Sequence, residues 1–199
     1  MKEISATGGK AIGFAVDVTG RAEVEAPIRG AVESYGRIDV IVNNAGIMPI
    51  AAIDALKVNG IGRLMSISME FYTGSPRSCL KCRNRRAVTS SISLPFGIKV
   101  FAPGATVYCA TKAAVRTLIE GLRMELHSQN IRCTMISPGA VATELPESSS
   151  EEATRKHLRE FYKMAMPANA IASAIAYAIE QPADVEIDEI VIRPTAQDF

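Results

Sequence analysis

Two rhythms of apolar residues alternate along the chain. Ala11-Ile12-Gly13-Phe14-Ala15-Val16 is a short apolar run ending at Asp17-Val18-Thr19, the pattern of a strand entering a turn. From Gly20 to Tyr35, Val24, Ile28, Val32 and Tyr35 return at helical spacing, and Gly36 supplies a C-terminal stop. Pro27 lacks a backbone donor and crowds the preceding turn, which predicts a kink or a late start in that helix. Ile38-Asp39-Val40-Ile41-Val42 is then a β-branched run apolar on both faces, broken off at Asn43-Asn44-Ala45-Gly46. Strand, helix and strand in succession imply a parallel sheet, since parallel neighbours need a crossover between them.

The alternation continues in the second half. Thr106 to His127 carries Val107, Ala110, Ala114, Val115, Leu118, Ile119 and Leu122 on one side, and Ile131 to Ser137 follows as a buried strand ending at Pro138-Gly139. Ser149-Ser150-Glu151-Glu152 has the form of a capping box and predicts a helix start. A further helix over Ala168 to Glu180 stops before Pro182, and Glu189-Ile190-Val191-Ile192-Arg193 reads as a last strand. Residues 59–95 break the pattern. They show no sustained period and have a middle rich in Arg, Ser and Cys.

Composition narrows the setting. The chain has 199 residues, 48% hydrophobic and 22% charged, with a net charge of +1, as expected of a single globular domain. Without a block of Lys and Arg there is no basic face for nucleic acid or an anionic membrane. No apolar run is long enough to span a bilayer, and Met1 to Gly9 lacks the apolar core of a signal peptide, so a cytoplasmic protein is expected. The 4 cysteines are too few for a disulfide scaffold. Cys79 and Cys82 form a lone C-x-x-C, readable as half a zinc site or a redox pair; no second C-x-x-C accompanies it, and chance spacing with no metal is preferred.

Candidate chemistry lies elsewhere. Tyr108 and Lys112 stand at i and i+4, adjacent on one helix face. A phenol of reference pKa ~10 exchanges protons with an alcohol or carbonyl near neutral pH only if a nearby positive charge favours the phenolate. The pair by itself also fits a surface tyrosine beside a solvated lysine. Asn43-Asn44-Ala45-Gly46 follows a buried strand, where small residues let a flat ligand approach the backbone. Asp17 ends an earlier strand and can accept from an adenine amine. Pro138-Gly139-Ala140-Val141-Ala142-Thr143 ends a third and offers backbone groups and a hydroxyl. Each is ordinary turn chemistry alone; three such strand ends in a parallel sheet converge on one crevice.

The segments D-V-T at 17–19, N-N-A-G at 43–46, Y-x-x-x-K at 108–112 and P-G-x-V-x-T at 138–143, in this order, resemble the short-chain dehydrogenase/reductase family over roughly four fifths of the chain. The resemblance implies a Rossmann-like, doubly wound α/β fold and hydride transfer between a nicotinamide and a small carbonyl or alcohol substrate. The implied cofactor is NADP or NAD, with NADP slightly favoured; the second strand, whose end distinguishes a ribose hydroxyl from a 2′-phosphate, does not occur in the chain. It makes Tyr108 the general acid/base and Lys112 the group that lowers its pKa and holds the nicotinamide ribose. Asp17, Val18, Asn44, Ala45, Gly46, Pro138, Gly139, Val141 and Thr143 would line the cofactor site with them. The ending Glu189 to Gln197 is similar to members acting on short hydroxy acids and aldehydes, and the family is usually homo-oligomeric.

The chain departs from the family in two places. The T-G-x-x-x-G-x-G turn, where a pyrophosphate sits on a helix N-terminus, does not occur in it, so the sheet is expected to be incomplete. The family's catalytic serine is also not found, since Pro95 stands where it is expected. One permitted choice of codons for Val58 to Pro95, read one base out of register, restores a D-V-N helix and an I-N-I-S-S strand whose last serine falls at 95. Residues 59–95 are therefore expected to be misframed and poorly ordered. The strand around Val40 would then lose backbone partners on both sides, each costing on the order of 1–3 kcal/mol if buried. Against a net stability of ~5–15 kcal/mol, a poorly folded chain with weak or no activity is expected.

Overall fold

A computed structural model describes residues 1–51, 89–92, 103–149 and 152–197. The elements are α1 (Lys2–Ala6), α2 (Arg21–Tyr35), β1 (Ile41–Asn43), β2 (Thr89–Ile92), α3 (Thr106–Leu126), β3 (Met135–Pro138), α4 (Glu152–Phe161), α5 (Ala168–Glu180) and β4 (Glu189–Ile192). The strands form a parallel sheet in the order β1-β2-β3-β4. Every residue of β3 is buried, as befits an inner parallel strand covered on both faces. Val115, Ile119 and Leu126 of α3 pack on Ile131, Cys133 and Met135 in and before β3, with Ile38 and Ile41 against them. Each such side chain contributes about 1.5–3 kcal/mol by leaving water.

Several expectations meet corrections. Residues 11–16 form no strand, although their apolar pattern suits one, and Ile12 and Phe14 are exposed. A strand is completed by ladder partners, and among the described residues none stands beside this run. β1 does have a partner on one side: Ile41, Val42 and Asn43 pair with Thr89, Ser90 and Ser91 of β2. The expected loss of partners on both flanks is wrong there, because a parallel ladder is made by backbone groups that Thr-Ser-Ser-Ile supplies as well as any sequence. The rest of the misframing expectation, the C-x-x-C of Cys79 and Cys82, and Pro95 lie outside the described residues.

Helix α2 starts at Arg21 and runs through Pro27, so the late start does not occur; Gly36 closes it with a left-handed φ of 81°. Helix α3 buries Tyr108, Thr111, Val115 and Ile119, whereas Ala110 and Ala114 face water. The larger side chains set the buried face, and the alanines fall off its edge. Ser149 does not cap α4. Its hydroxyl is buried and committed to Met48 and Ile50. Helix α5 ends at Glu180 as the pattern predicts, and its end finds a partner that the pattern did not show. The Arg132 guanidinium donates to the carbonyls of Ile179 at 3.1 Å and Val185 at 2.8 Å and, at 3.4 Å each, to Gln181 and Pro182. It thereby satisfies carbonyls that a helix end leaves without partners.

Candidate active site

Tyr108 lies in the first turn of α3, with Ala105 as N-cap. The turn is fixed from two sides: Tyr108 belongs to a buried cluster with Met48, Ile50, Ala105, Cys109 and Leu158, and Thr111 Oγ1 donates to the Tyr108 carbonyl at 2.7 Å. One turn on, Lys112 brings its Nζ to 5.6 Å from the centre of the Tyr108 ring. The same ammonium faces the end of β1, since a Cβ at Gly46 would stand 4.0 Å from it. Two distant stretches of sequence thus meet at one cation.

Around this pair, at the carboxyl ends of β1 and β3, is a cavity of about 560 Å³. Of the residues singled out from sequence, it brings together Asn44, Gly46, Tyr108, Lys112, Pro138, Gly139, Val141 and Thr143. Asp17, Val18 and Ala45 do not line it. Asp17 is instead turned onto its own loop, accepting from Thr19 N–H at 2.9 Å and Thr19 Oγ1 at 2.8 Å. Gly139 serves the fold as well as the cavity, because a Cβ there would collide with Gln197 Oε1, which accepts from Ala140 N–H at 3.1 Å.

Sequence reasoning missed the opposite wall. Ile47, Leu145, Tyr162 and Ile171 close the cavity with apolar surface, and Glu144 and Ser148 add polar groups. The loop after β1 is tied to this wall by two serines. Met48 N–H donates to Ser148 Oγ at 2.9 Å, which donates to the Leu145 carbonyl at 2.7 Å. Ile50 N–H donates to Ser149 Oγ at 3.2 Å, which donates to the Met48 carbonyl at 3.1 Å. The signal was present in the Ser148-Ser149-Ser150 run, but the capping-box pattern claimed it.

Electrostatics here are set by burial. Burial, followed by the neighbouring Tyr162 and Cys109, pushes the Tyr108 phenol well above its usual range. Burial also pushes Lys112 down to about 8 and Tyr162 up to about 12. Every cause acting on Tyr108 raises its pKa, so the lowering that the resemblance implied does not operate in this arrangement. The Lys112 ammonium lies over the ring, and desolvation of the phenolate dominates.

These residues fit a nicotinamide. The backbone at Gly46 carries no side chain between the β1 end and the Lys112 ammonium, which leaves that approach open to a flat ring or a ribose. Asn43, buried at the end of β1, has an amide Nδ2 without a hydrogen-bond partner among the described residues. Among those residues no cluster of His, Cys, Asp and Glu could hold a metal ion, and no helix is long and apolar enough to cross a membrane.

Comparison with known proteins agrees with this arrangement. The sequence profile of the short chain dehydrogenase family matches residues 1–154. An uncharacterized oxidoreductase of Staphylococcus saprophyticus is 39% identical over 185 residues, covering 91% of this chain and 75% of that protein. One of Listeria monocytogenes is 37% identical, covering 99% and 81%. Among solved structures, an alcohol dehydrogenase from the archaeon Thermococcus sibiricus, complexed with 5-hydroxy-NADP, superposes with a TM-score of 0.82 at 20% identity, covering 98% of this chain and 80% of that one. A 3-ketoacyl-(acyl-carrier-protein) reductase from Brucella melitensis, complexed with NADH, gives 0.81 at 20% identity, covering 98% and 82%. With the Tyr-x-x-x-Lys pair, the strand-end cavity and the parallel sheet in agreement, the chain belongs to the short-chain dehydrogenase family of oxidoreductases.

Proposed function

We propose that the chain is an NAD(P)-dependent oxidoreductase that interconverts a small carbonyl compound and its alcohol. The observation that carries this reading is a buried phenol and an ammonium one helical turn apart, facing a single cavity at the carboxyl ends of two parallel strands. Lys112, with the Asn44 and Gly46 backbone, would hold the nicotinamide and its ribose, and Pro138, Gly139, Val141 and Thr143 would flank them. When bound, the nicotinamide supplies or accepts the hydride. NADP is favoured over NAD, and the nicotinamide nucleotides held by structural neighbours support the cofactor class.

Tyr108 moves the proton. In reduction its hydroxyl gives a proton to the substrate oxygen as the carbonyl carbon becomes tetrahedral; in oxidation the phenolate takes it back. A buried phenolate is costly, and Lys112, protonated below about pH 8, is the positive charge that faces the ring. Ile47, Leu145 and Ile171 exclude water and favour a small, largely apolar substrate.

A second reading, a chain that binds no cofactor, is favoured by one feature: Asp17, the expected partner of an adenine amine, is turned onto its own loop and does not line the cavity. Thermal unfolding with NADPH and NADH separates the two. A cofactor bound only by the folded chain adds about 2.7 kcal/mol at 100 times Kd, a rise of roughly 5–10 °C in Tm for a domain of this size. No rise at millimolar cofactor favours the second reading.

A further inference from the structure

The cavity holds a second phenol that the reaction above does not use. Tyr162 opens the 3-10 turn Tyr162–Met164 after α4, and its ring packs on the cluster of Met48, Tyr108 and Leu158. Phe161 meets it edge-on at 5.9 Å. The residue lines the same cavity as Tyr108, and its hydroxyl donates to the Met48 sulfur at 3.9 Å. A thioether is a weak acceptor, so any oxygen entering the cavity would compete well for this proton.

We propose that Tyr162 is a specificity-determining residue, donating a hydrogen bond to a second oxygen on the carbon next to the reacting one. The substrate class is then vicinally oxygenated: a 1,2-dicarbonyl, an α-hydroxy carbonyl or a 1,2-diol. This rests on the oxidoreductase reading and narrows it. Tyr108 and Tyr162 line one cavity and pack in one cluster, which suits two oxygens close together in one substrate, with Tyr108 serving the oxygen that gains or loses the proton. Tyr162 opposes the ionisation of Tyr108, which is consistent with their packing in one cluster. The second oxygen is neutral rather than a carboxylate, because Glu144 lines the same cavity and Lys112 faces Tyr108 and Gly46.

The test compares the unaltered chain with Tyr162→Phe, which keeps the ring, on 2,3-butanedione and on 2-butanone with NADPH and NADH. The expected result is a loss of about tenfold or more in kcat/KM for the dione, mostly in KM, with 2-butanone changed less than about threefold. Equal losses on both, or none on either, overturn the proposal. A separate arm needs no turnover: 2,3-butanediol should raise Tm more than 2-butanol in the unaltered chain, and Tyr162→Phe should abolish that difference. If the unaltered chain reduces neither carbonyl, the oxidoreductase reading fails; the diol difference, present or absent, still decides the role of Tyr162.

Discussion

Replacing Lys112 by Met tests the electrostatics of the site through stability alone. The amine falls from 10.5 to about 8 because burial penalises its charged form. At about 1.36 kcal/mol per pKa unit, the folded chain bears roughly 3 kcal/mol for keeping that proton at neutral pH. The contact over the Tyr108 ring, 5.6 Å from its centre, returns about 0.5–1 kcal/mol of this. Lys112→Met should therefore stabilise the chain by about 2–3 kcal/mol at pH 7, or roughly 4–12 °C in Tm, while ending any nicotinamide-dependent turnover. The sign follows from proton counting. Between pH 8 and 10.5 the unfolded chain holds this proton and the folded chain does not, so the stability of the unaltered chain rises with pH across that window and the advantage of Met shrinks. Below pH 8 both states are protonated and the gap is constant. Urea unfolding of both chains from pH 7 to 10.5 measures it, and subtracting one from the other cancels the remaining tyrosines and cysteines. A difference that stays flat through this range, or a Met variant less stable at pH 7, would refute the reasoning.

Tyr108→Phe should leave the Tm rise with cofactor intact and lower kcat by on the order of 10²–10⁴, read in single-turnover reduction. Ser149→Ala removes the partner of the buried Ile50 N–H and Met48 carbonyl and should cost about 1–3 kcal/mol in urea unfolding; a change under about 0.5 kcal/mol would show that the tie is not holding the loop. The misframing of residues 59–95 predicts that nucleotide sequence across those codons carries two compensating indels, and an uninterrupted frame matching the intact mass of the polypeptide would discard it.

Legibility followed the range of the interactions involved. Helices α3 and α5 were readable because their periodicity, stop signals and flanking prolines act within a few residues. The Tyr108–Lys112 pair needed only one helical turn, and the segments after β1 and β3 reach the cavity as the logic of parallel sheets implies, whereas the one at Asp17 does not. What failed depended on partners far along the chain. Residues 11–16 look like a strand but have no described neighbour to complete a ladder. Ser149 looks like a cap but is claimed by Met48 and Ile50, about a hundred positions away. The packing of Tyr162 beside Tyr108, and the hold of Arg132 on the end of α5, likewise arise only once the chain has folded back on itself. The altered balance at Tyr108 came from burial, which spacing does not report.

The two serine ties also bear on the order of folding. Ser148 and Ser149 reach residues 48 and 50 across separations of 99 to 101 positions, so these bonds close only after the intervening chain has been gathered in. Closing such long loops is entropically unfavourable until the sheet exists, which places assembly of the catalytic chamber late on the folding route and its opening early on the way out. The amides of Met48 and Ile50 should accordingly exchange with deuterium sooner than those of β3, making them a direct gauge of whether the chamber is shut while the rest of the domain stays folded.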